Sequence, residues 1–355
     1  MYDLVIRGGT IVDGTGGASF VGDLAIEKEK IVQVGGNIGP GEKELDAGGL
    51  LVTPGFVDIH THYDGQATWD QHLTPTGWHG VTTVVMGNCG VGFAPARPDQ
   101  HDWLIQLMEG VEDIPGSALA EGINWDWETF PQYLDALEKF DRSIDIGTQI
   151  PHGAVRAYVM GERSDQVATP DDIEKMSVIV EEALAAGALG FTSSRTMLHR
   201  AKDGEPVPGT FAGHDELMSL GRACGRAGHG VFEISSDFGM GGMHGRFRED
   251  VDWMSALSKE TGLPISFILA QASHHPDEWR EILHWTEQAV SAGANLRAQV
   301  AARPAGMLMN FDNPMHPFKG HPTYLEVAAL SLEDKVKALS VPMTRNQLVD
   351  ESSTL

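Results

Sequence analysis

The stretch PGFVDIHTHYD, residues 54–64, places His60 and His62 one residue apart behind a short apolar segment. Proline and glycine open the segment, and its apolar residues are typical of a short buried β-strand. Side chains alternate along a strand with a period of two, so both imidazoles lie on the same face of its end. Imidazole nitrogen is a preferred ligand of Zn²⁺ and similar ions. The pattern therefore predicts a metal site at a strand end, against the simpler alternative of two surface histidines on a loop.

After this stretch, apolar strand patterns alternate with amphipathic helix patterns. Glycines close the helix patterns, as Gly187, Gly228 and Gly262 do. Seven strands are predicted, at residues 55–59, 81–86, 144–149, 188–191, 230–234, 264–270 and 294–300. A last helix is predicted at residues 325–339. Such alternation indicates an α/β fold with a parallel sheet, and seven strands favour a closed (β/α)8 barrel of the TIM type over an open sheet.

The sequence predicts two domains. Residues 1–53 contain short apolar segments separated by glycines, which is typical of the meandering strands of a small β-sandwich or half-sandwich. Residues 54–355 are predicted to form the barrel. No eighth strand is recognisable after residue 300, so either the barrel closes with a weakly coded strand or the chain is part of a longer one.

The composition excludes several classes of partner. There are 25 Lys and Arg against 50 Asp and Glu, and a net charge of −25 argues against binding to nucleic acid or to anionic membranes. No apolar run is long enough to span a membrane, and the N-terminus lacks the pattern of a signal peptide. Two cysteines cannot build a disulfide framework, so a cytoplasmic location is expected. Nucleotide-binding glycine motifs and a G-x-S-x-G nucleophile elbow are absent from the sequence.

Chemistry in such a barrel is carried by residues that follow the carboxyl ends of its strands. Cys89 follows the second predicted strand in the sequence GNCG. A thiolate is a good zinc ligand, and the glycines at 87 and 90 allow the backbone to approach a bound group closely. We therefore predict Cys89 as a third ligand, with a buried, unreactive cysteine as the alternative. Cys224 lies within a helix pattern and is predicted to be part of the core.

The other strand ends give further candidates. Glu233 and Asp237, at the fifth strand, are candidate general bases or metal ligands. His274 and His275 follow the sixth strand and are candidate metal ligands, with capping or surface roles as the alternative. Substrate binding is predicted for one histidine and two arginines at the third, fourth and seventh strands, namely His152, Arg195 and Arg303.

Four stretches resemble the metal-dependent amidohydrolase superfamily. They are LVIRGGTIVDGTG (4–16), GGLLVTPGFVDIHTHYDG (48–65), GVTTVVMGNCGVGFAP (80–95) and AGALGFTSSR (186–195). The asparagine–cysteine–glycine element at residues 88–90 narrows the resemblance to the D-aminoacylase branch, the N-acyl-D-amino-acid deacylases. The resemblance covers the N-terminal two-thirds of a family member.

The resemblance implies a (β/α)8 barrel with a β-sandwich built from both chain ends, and a site for one or two zinc ions. It assigns ligand roles to the H-x-H pair and to Cys89, with further histidines after strands five and six and a catalytic aspartate after strand eight. This sequence has FEISSDFG (232–239) and ILAQASHH (268–275) at the two histidine positions. Gln271 or one of the two histidines that follow it is the candidate at the sixth strand.

The predicted function is zinc-dependent hydrolysis of a non-peptide C–N amide bond in a small molecule, in first place the deacylation of an N-acyl-D-amino acid. A cyclic-amide hydrolase of hydantoinase or dihydroorotase type is an alternative. Such enzymes often use a carboxylated lysine on strand four, and GALGFTSSR (187–195) contains no lysine. A degenerate barrel without turnover is the second alternative, favoured by the histidine and aspartate positions that are not filled. The oligomeric state stays open, a homo-oligomer included.

Overall fold

In the computed structural model, which describes residues 1–238, 244–272, 275–301, 311 and 316–352, the N-terminal residues form one five-stranded sheet. Its strands are β1 (Tyr2–Ile11), β2 (Phe20–Glu27), β3 (Lys30–Val34), β4 (Gly41–Asp46) and β5 (Leu51–Val52). β1 pairs antiparallel with β2 and parallel with β4 and β5, and β2 pairs antiparallel with β3. Val5, Ala25 and Ile38 pack together as the small core of this sheet. The β-structure expected at the N-terminus is thus present.

The predicted barrel strands follow in chain order. They are β6 (Phe56–Asp58), β7 (Val81–Met86), β8 (Asp145–Thr148), β9 (Ile150–Pro151), β10 (Gly190–Ser194), β11 (Val231–Ser235), β12 (Ile265–Ile268) and β13 (Leu296–Gln299). β6 to β8 form one sheet and β9 to β13 another, each in sequence order. β6 pairs parallel with β7, and all neighbours from β9 to β13 are parallel. The seven predicted strands are present, because β8 and β9, separated by Gln149, together form the third.

Helices connect these strands, and three of them lie between β7 and β8. They are α1 (His101–Glu112), α2 (Gly116–Gly122), α3 (Phe130–Glu138), α4 (His152–Met160), α5 (Pro170–Ala186), α6 (His214–Ala227), α7 (His244–Thr261), α8 (Glu278–Ser291), α9 (Pro322–Val327), α10 (Leu332–Ser340) and α11 (Pro342–Asp350). Among the described residues, no helix combines the length and the apolar character that crossing a membrane requires. Parallel strands alternating with helices confirm the predicted α/β class and its (β/α)-barrel type.

Local sequence signals set several of these boundaries. Thr169 caps α5 by accepting the N–H of Asp172, and Gly187 ends the helix with a φ of +120°.

The single helix predicted for residues 325–339 is wrong, because Ser331 accepts the N–H of Asp334 at 3.2 Å and so begins a separate helix, α10. No strand follows β13 in the described part of the chain, and the eighth barrel strand is not found there.

The chain divides into two compact units. One consists of residues 1–59, 72–84 and 143–145, and the other of residues 60–71, 85–142 and 146–355. All residues of the site described below belong to the second unit.

Within the second unit, β10, β11 and β12 have an apolar and a polar face. Phe191 and Phe232 are paired neighbours whose ring centroids lie 5.1 Å apart, and both are fully buried. Thr192, Glu233 and Ser266 are aligned one residue further along the same strands. Side chains alternate between the faces of a strand, so these three polar side chains lie together on the opposite face. This alignment brings Glu233 to the candidate site.

Candidate metal centre

The loop after β7 holds Cys89 in a left-handed backbone conformation, with a φ of +58°. This conformation costs a residue other than glycine about 1–3 kcal/mol, and such residues cluster at functional sites. Gly87 and Gly90 beside it also have positive φ. A Cβ atom at these positions would lie 2.1 Å from Gln149 O and 2.7 Å from Ser194 N, so only glycine fits there.

Two buried polar side chains fix this loop. Asn88 Nδ2 donates to the carbonyl oxygens of Val85 at 2.9 Å and of Thr61 at 3.2 Å. Thr192 on β10 donates to the carbonyl oxygen of Gly87 at 2.5 Å and accepts the N–H of the glycine at position 90. These bonds set the position of the Cys89 sulfur through the backbone and without using the thiol.

His60 contacts the thiol from the neighbouring strand end. Its Nε2 atom lies 3.1 Å from Cys89 Sγ, and its Nδ1 atom lies 3.2 Å from Gln299 Oε1 and 3.8 Å from Glu233 Oε1. Gln299, at the end of β13, in turn donates to Ser266 Oγ at 2.6 Å. With the ring proton on Nδ1, facing these acceptors, Nε2 carries the lone pair that a metal ion needs.

His62 contacts a carboxylate that the sequence analysis did not select. Its Nε2 atom lies 3.2 Å from Glu112 Oε1, and its Nδ1 atom is buried without a hydrogen-bond partner among the described residues. Burial lowers the pKa of His62 to about 4, so the ring is neutral at neutral pH and can act as a ligand. Glu112 is the last residue of α1, and burial raises the pKa of its carboxyl group.

His199 approaches the same group of residues from the loop after β10. Its Nδ1 atom lies 3.2 Å from Ser194 Oγ, at the end of that strand. Burial lowers the pKa of His199 to about 4, although the nearby Glu112 acts in the opposite direction. At neutral pH this ring is therefore neutral as well.

The possible ligand atoms fall into two sets, and within each set all atoms lie within 4.8 Å of one another. The first set is His60, His62 and Cys89, and the second is Cys89, Glu112 and His199. Donor atoms around one tetrahedral zinc ion lie about 3–4 Å apart, so small side-chain movements would complete either set. Thiolate, imidazole and carboxylate are the ligands that zinc takes in proteins, and the residues present fit this ion.

Buried acidic groups beside these sets lack partners. Glu233 is 1% exposed, neither of its carboxylate oxygens has a hydrogen-bond partner in the described part of the chain, and burial raises its pKa to about 8. Asp64 Oδ2 is also buried without a partner, and burial raises the pKa of Asp64 to about 8. Burial raises the pKa of the Cys89 thiol well above its ordinary value. A bound cation would offset the cost of ionising these groups.

A sequence model of the amidohydrolase family matches residues 43–342. The chain belongs to the amidohydrolase family. This membership agrees with the donor sets above, and the resemblance noted in the sequence is confirmed.

Several similar proteins bear the names of deacylases. D-aminoacylase of Alcaligenes xylosoxydans xylosoxydans is 34% identical over 193 residues, which are 54% of this chain and 37% of that protein. N-acyl-D-glutamate deacylase of the same organism is 29% identical over 337 residues, 91% of this chain and 58% of that protein. A solved D-aminoacylase structure, described by its binuclear metal centre, superposes with a TM-score of 0.69 at 26% identity, covering 84% of this chain and 58% of that one. The chain covers less than two thirds of the length of each.

Other candidate residues of this amidohydrolase lie outside the two donor sets. Asp237 accepts hydrogen bonds from the hydroxyl of Thr196 and, at 3.2 Å, from the N–H of Met197. His275 follows β12, and its backbone N–H donates to the carbonyl oxygen of Ala272. Neither residue belongs to a donor set found among the described residues.

Two of the three predicted substrate-binding residues are held by protein partners. Both ring nitrogens of the fully buried His152 contact side chains, Ser193 Oγ at 2.9 Å and Glu216 Oε1 at 2.8 Å. The Arg195 guanidinium, 8% exposed, donates to two backbone carbonyl oxygens, those of Thr210 and Ala212. These contacts favour structural roles for both residues. The remaining predictions, His274 as a ligand and Arg303 at the substrate, lie outside the described residues.

The expected ligand after strand six is not supplied by Gln271. Its side chain is exposed and donates to the carbonyl oxygen of Pro276 at 3.0 Å. Glu112 and His199 were not predicted from the sequence, because neither residue directly follows a strand end. Glu112 lies at the end of a helix in the long β7–β8 connection, and His199 lies five residues after β10. For His199 the available signal is its place in the loop that follows a barrel strand.

Proposed function

We propose that this amidohydrolase binds zinc through His60, His62 and Cys89 and hydrolyses the C–N amide bond of an N-acyl-D-amino acid. The observation that carries the proposal is the approach of three donor atoms, one thiol and two imidazoles, within 4.8 Å of one another. Membership of the amidohydrolase family gives the reaction class. The similarity to D-aminoacylase and N-acyl-D-glutamate deacylase supports the substrate class.

A bound zinc ion supplies a Lewis acid that polarises the amide carbonyl and makes water a better nucleophile. We assign proton transfer to Glu233, whose Oε1 atom lies 3.8 Å from His60 Nδ1 and accepts no hydrogen bond from the described residues. Beside a cation this carboxylate is ionised, takes a proton from the attacking water and gives it to the leaving amine. Asp237 is the second candidate for this role. Its carboxylate is already held by a hydroxyl and a backbone N–H.

The substrate carboxylate needs a cationic partner, and a bidentate arginine contact is the geometry that recognises it best. The Nη1 atom of Arg195 donates to two backbone carbonyl oxygens, and its Nη2 atom lies 3.6 Å from Asp250 Oδ1, so its charge already has an acidic partner. We therefore favour Arg303 for this contact. His152 is assigned a structural role, because both of its ring nitrogens have protein partners.

The test measures zinc content and hydrolysis together. The wild-type chain and the variants His60→Ala and His229→Ala are assayed for bound zinc and against N-acyl-D-amino acids, N-acyl-L-amino acids, a hydantoin and a dihydropyrimidine. His229 is an exposed histidine between α6 and β11 and serves as the matched control. We expect His60→Ala to lose at least about 100-fold in zinc affinity and its turnover, and His229→Ala to behave as wild type.

Each other outcome contradicts part of the proposal. Zinc binding that survives His60→Ala unchanged refutes the ligand assignment. A zinc-loaded wild-type chain that hydrolyses only the cyclic amides supports the hydantoinase-type alternative. A zinc-loaded chain that hydrolyses none of the compounds supports a barrel without turnover.

A further inference from the structure

We propose that Gln299 is a positioning residue of the metal centre, which holds the His60 ring proton on Nδ1 and so keeps Nε2 available for a zinc ion. Gln299 is the last residue of β13, the seventh barrel strand. Zinc takes thiolate, imidazole and carboxylate ligands, so an amide at this place acts through the histidine and not on the metal. The inference rests on the proposed function, because it takes His60 as a zinc ligand.

The two nitrogens of the His60 ring face different groups. Nε2 lies 3.1 Å from Cys89 Sγ, and Nδ1 lies 3.2 Å from Gln299 Oε1. Glu233 Oε1, at 3.8 Å from Nδ1, is beyond hydrogen-bond distance. The Gln299 oxygen is thus the nearer of these two acceptors. A neutral imidazole carries one proton, so a bond from Nδ1 to this oxygen leaves the lone pair on Nε2, beside the thiol.

A second hydrogen bond holds the Gln299 amide in this orientation. Its Nε2 atom donates to Ser266 Oγ at 2.6 Å, and Ser266 is 7% exposed. Ser266 lies on β12, which is paired with β13, so one sheet carries both residues. Turning the amide by 180° would place its NH₂ group against His60 and force the ring proton onto Nε2, where it would block a cation. Cation binding therefore requires the amide orientation that the structure has.

The neutral charge of Gln299 has a consequence for Glu233. Metal-binding histidines commonly donate their second N–H to a carboxylate. At His60 an amide accepts this bond, and the Glu233 carboxylate accepts no hydrogen bond from the described residues. The carboxylate assigned to proton transfer is therefore not used to orient a ligand. The seventh strand orients the histidine, and the fifth strand supplies the base.

Two substitutions of Gln299 separate this role from simple packing. Gln299→Met keeps the length of the side chain and removes the amide oxygen, whereas Gln299→Glu keeps an acceptor oxygen. Gln288→Met is the matched control, because Gln288 also contacts a histidine ring, that of His284 at 2.9 Å, and both side chains are exposed on α8. Zinc affinity is measured by competition with a chromophoric chelator. Circular dichroism of each metal-free variant confirms that it is folded.

We expect Gln299→Met to bind zinc about 10–100-fold more weakly than wild type. Gln299→Glu and Gln288→Met should bind zinc at least as tightly as wild type. A packing role predicts the reverse order for the two Gln299 variants. Wild-type affinity in Gln299→Met overturns the proposal, and so does a loss in Gln299→Glu as large as that in Gln299→Met.

The ring tautomer is measured on the wild-type chain, which keeps the proposal testable if a variant does not fold. Long-range ¹H–¹⁵N correlation spectra of the metal-free chain with ¹⁵N-labelled histidine report which ring nitrogen carries the proton. The signals that disappear in His60→Ala identify His60. We expect its proton on Nδ1 at neutral pH, and a proton on Nε2 overturns the proposal.

Ser266→Ala tests the support of the amide. We expect a smaller loss of zinc affinity than in Gln299→Met, and no further loss when both substitutions are combined, because Ser266 acts through Gln299. Losses that add up in the double variant overturn this step.

The same titrations separate failure of this inference from failure of the proposed function. If His60→Ala loses zinc while Gln299→Met keeps wild-type affinity, the positioning role fails and the zinc site stands. If His60→Ala binds zinc as tightly as wild type, the proposed function itself fails.

Discussion

Two buried polar clusters in the second unit differ in how completely their groups satisfy one another. In the first, called the His152 cluster and made of His152, Ser193, Glu216 and Arg156, both ring nitrogens have partners and the guanidinium pairs with the carboxylate. In the metal centre, by contrast, Glu233 keeps two carboxylate oxygens without hydrogen bonds among the described residues. Two members of these clusters are equally buried, with His152 at 0% and Glu233 at 1% exposure. Satisfaction of hydrogen bonds, and not burial, separates these two side chains.

The contrast indicates which cluster needs something from outside the chain. A buried polar group without a partner costs about 1–3 kcal/mol, and more when it is charged. The His152 cluster is complete as folded and serves the structure. We expect the metal centre to become complete when a cation binds. The following predictions test this distinction.

Removing the carboxylate of the His152 cluster is expected to have the largest effect on stability. Glu216→Ala leaves His152 and Arg156 buried without their acidic partner, and breaking such a pair costs about 3–5 kcal/mol. Denaturant unfolding in the presence of a chelator measures the change. Glu205→Ala is the control, because Glu205 is exposed and lines the same cavity as Glu216. A loss below about 1 kcal/mol for Glu216→Ala would contradict the structural role assigned to the cluster.

Zinc should stabilise the chain through the metal centre alone. A ligand at 1,000 times its Kd adds about 4 kcal/mol to the free energy of unfolding, and a chelator removes it. We expect this increment in wild type and in Glu216→Ala, and its loss in His60→Ala. Thermal unfolding with and without zinc is the measurement. An equal increment in His60→Ala would place the stabilising ion elsewhere.

The His152 cluster should also make the free energy of unfolding depend on pH in the acidic range. Burial raises the pKa of Glu216. The hydrogen bond and charge of His152, together with the charge of Arg156, outweigh this effect and lower the pKa from 4.5 to about 2. A lowered pKa stabilises the folded state above the unfolded value, and this stabilisation is lost as the pH falls from about 4.5 to about 2. The shift corresponds to at most about 3 kcal/mol. Urea unfolding between pH 5 and pH 2.5 should show that the free energy of unfolding falls more steeply for wild type than for Glu216→Gln. Parallel curves for the two proteins would contradict a stabilising role of the ionised Glu216.

The smallest effect on stability is expected at Glu233. In the metal-free chain Glu233→Gln removes no hydrogen bond among the described residues, so the free energy of unfolding should stay within about 1 kcal/mol of wild type. The same substitution should lower turnover of the zinc-loaded chain by about 10²–10⁴-fold, because the proton acceptor is lost. Denaturant unfolding and steady-state assays measure the two quantities. A large loss of stability in Glu233→Gln, with normal turnover, would show that Glu233 serves the structure and not the reaction.

Local chemistry explains which parts of the fold were predictable. Thr169, Pro170 and Gly187 mark the ends of α5, and the structure has the helix at these residues because capping is decided within one turn. The same kind of signal was overlooked at Ser331, where a serine cap divides one predicted helix into two. The third predicted strand is interrupted at Gln149, where the side chain bonds Asn88 from another strand end. Such an interruption depends on a contact distant in sequence.

The candidate site was predictable to the extent that it follows strand ends. His60 and Cys89 were predicted in this way, and they lie together because parallel strands bring their carboxyl ends to one edge. Glu112 and His199 were not, since a helix end and a loop reach the site only through tertiary packing. His152 illustrates a different limit of this rule. It follows a strand as expected, but its two ring nitrogens are used within the protein.

The left-handed backbone at Cys89 fixes where the side chain at this position lies, and it does so independently of which side chain is present. The loop is held by glycines and by Thr192, and none of these contacts uses the sulfur atom. Aspartate adopts this conformation more readily than most residues, so Cys89→Asp can occupy the same loop. An oxygen ligand there favours harder ions such as Mn²⁺ over zinc, and the ratio of the two affinities in the variant measures the effect. We therefore expect one side chain, on an unchanged backbone, to decide which metal ion binds best.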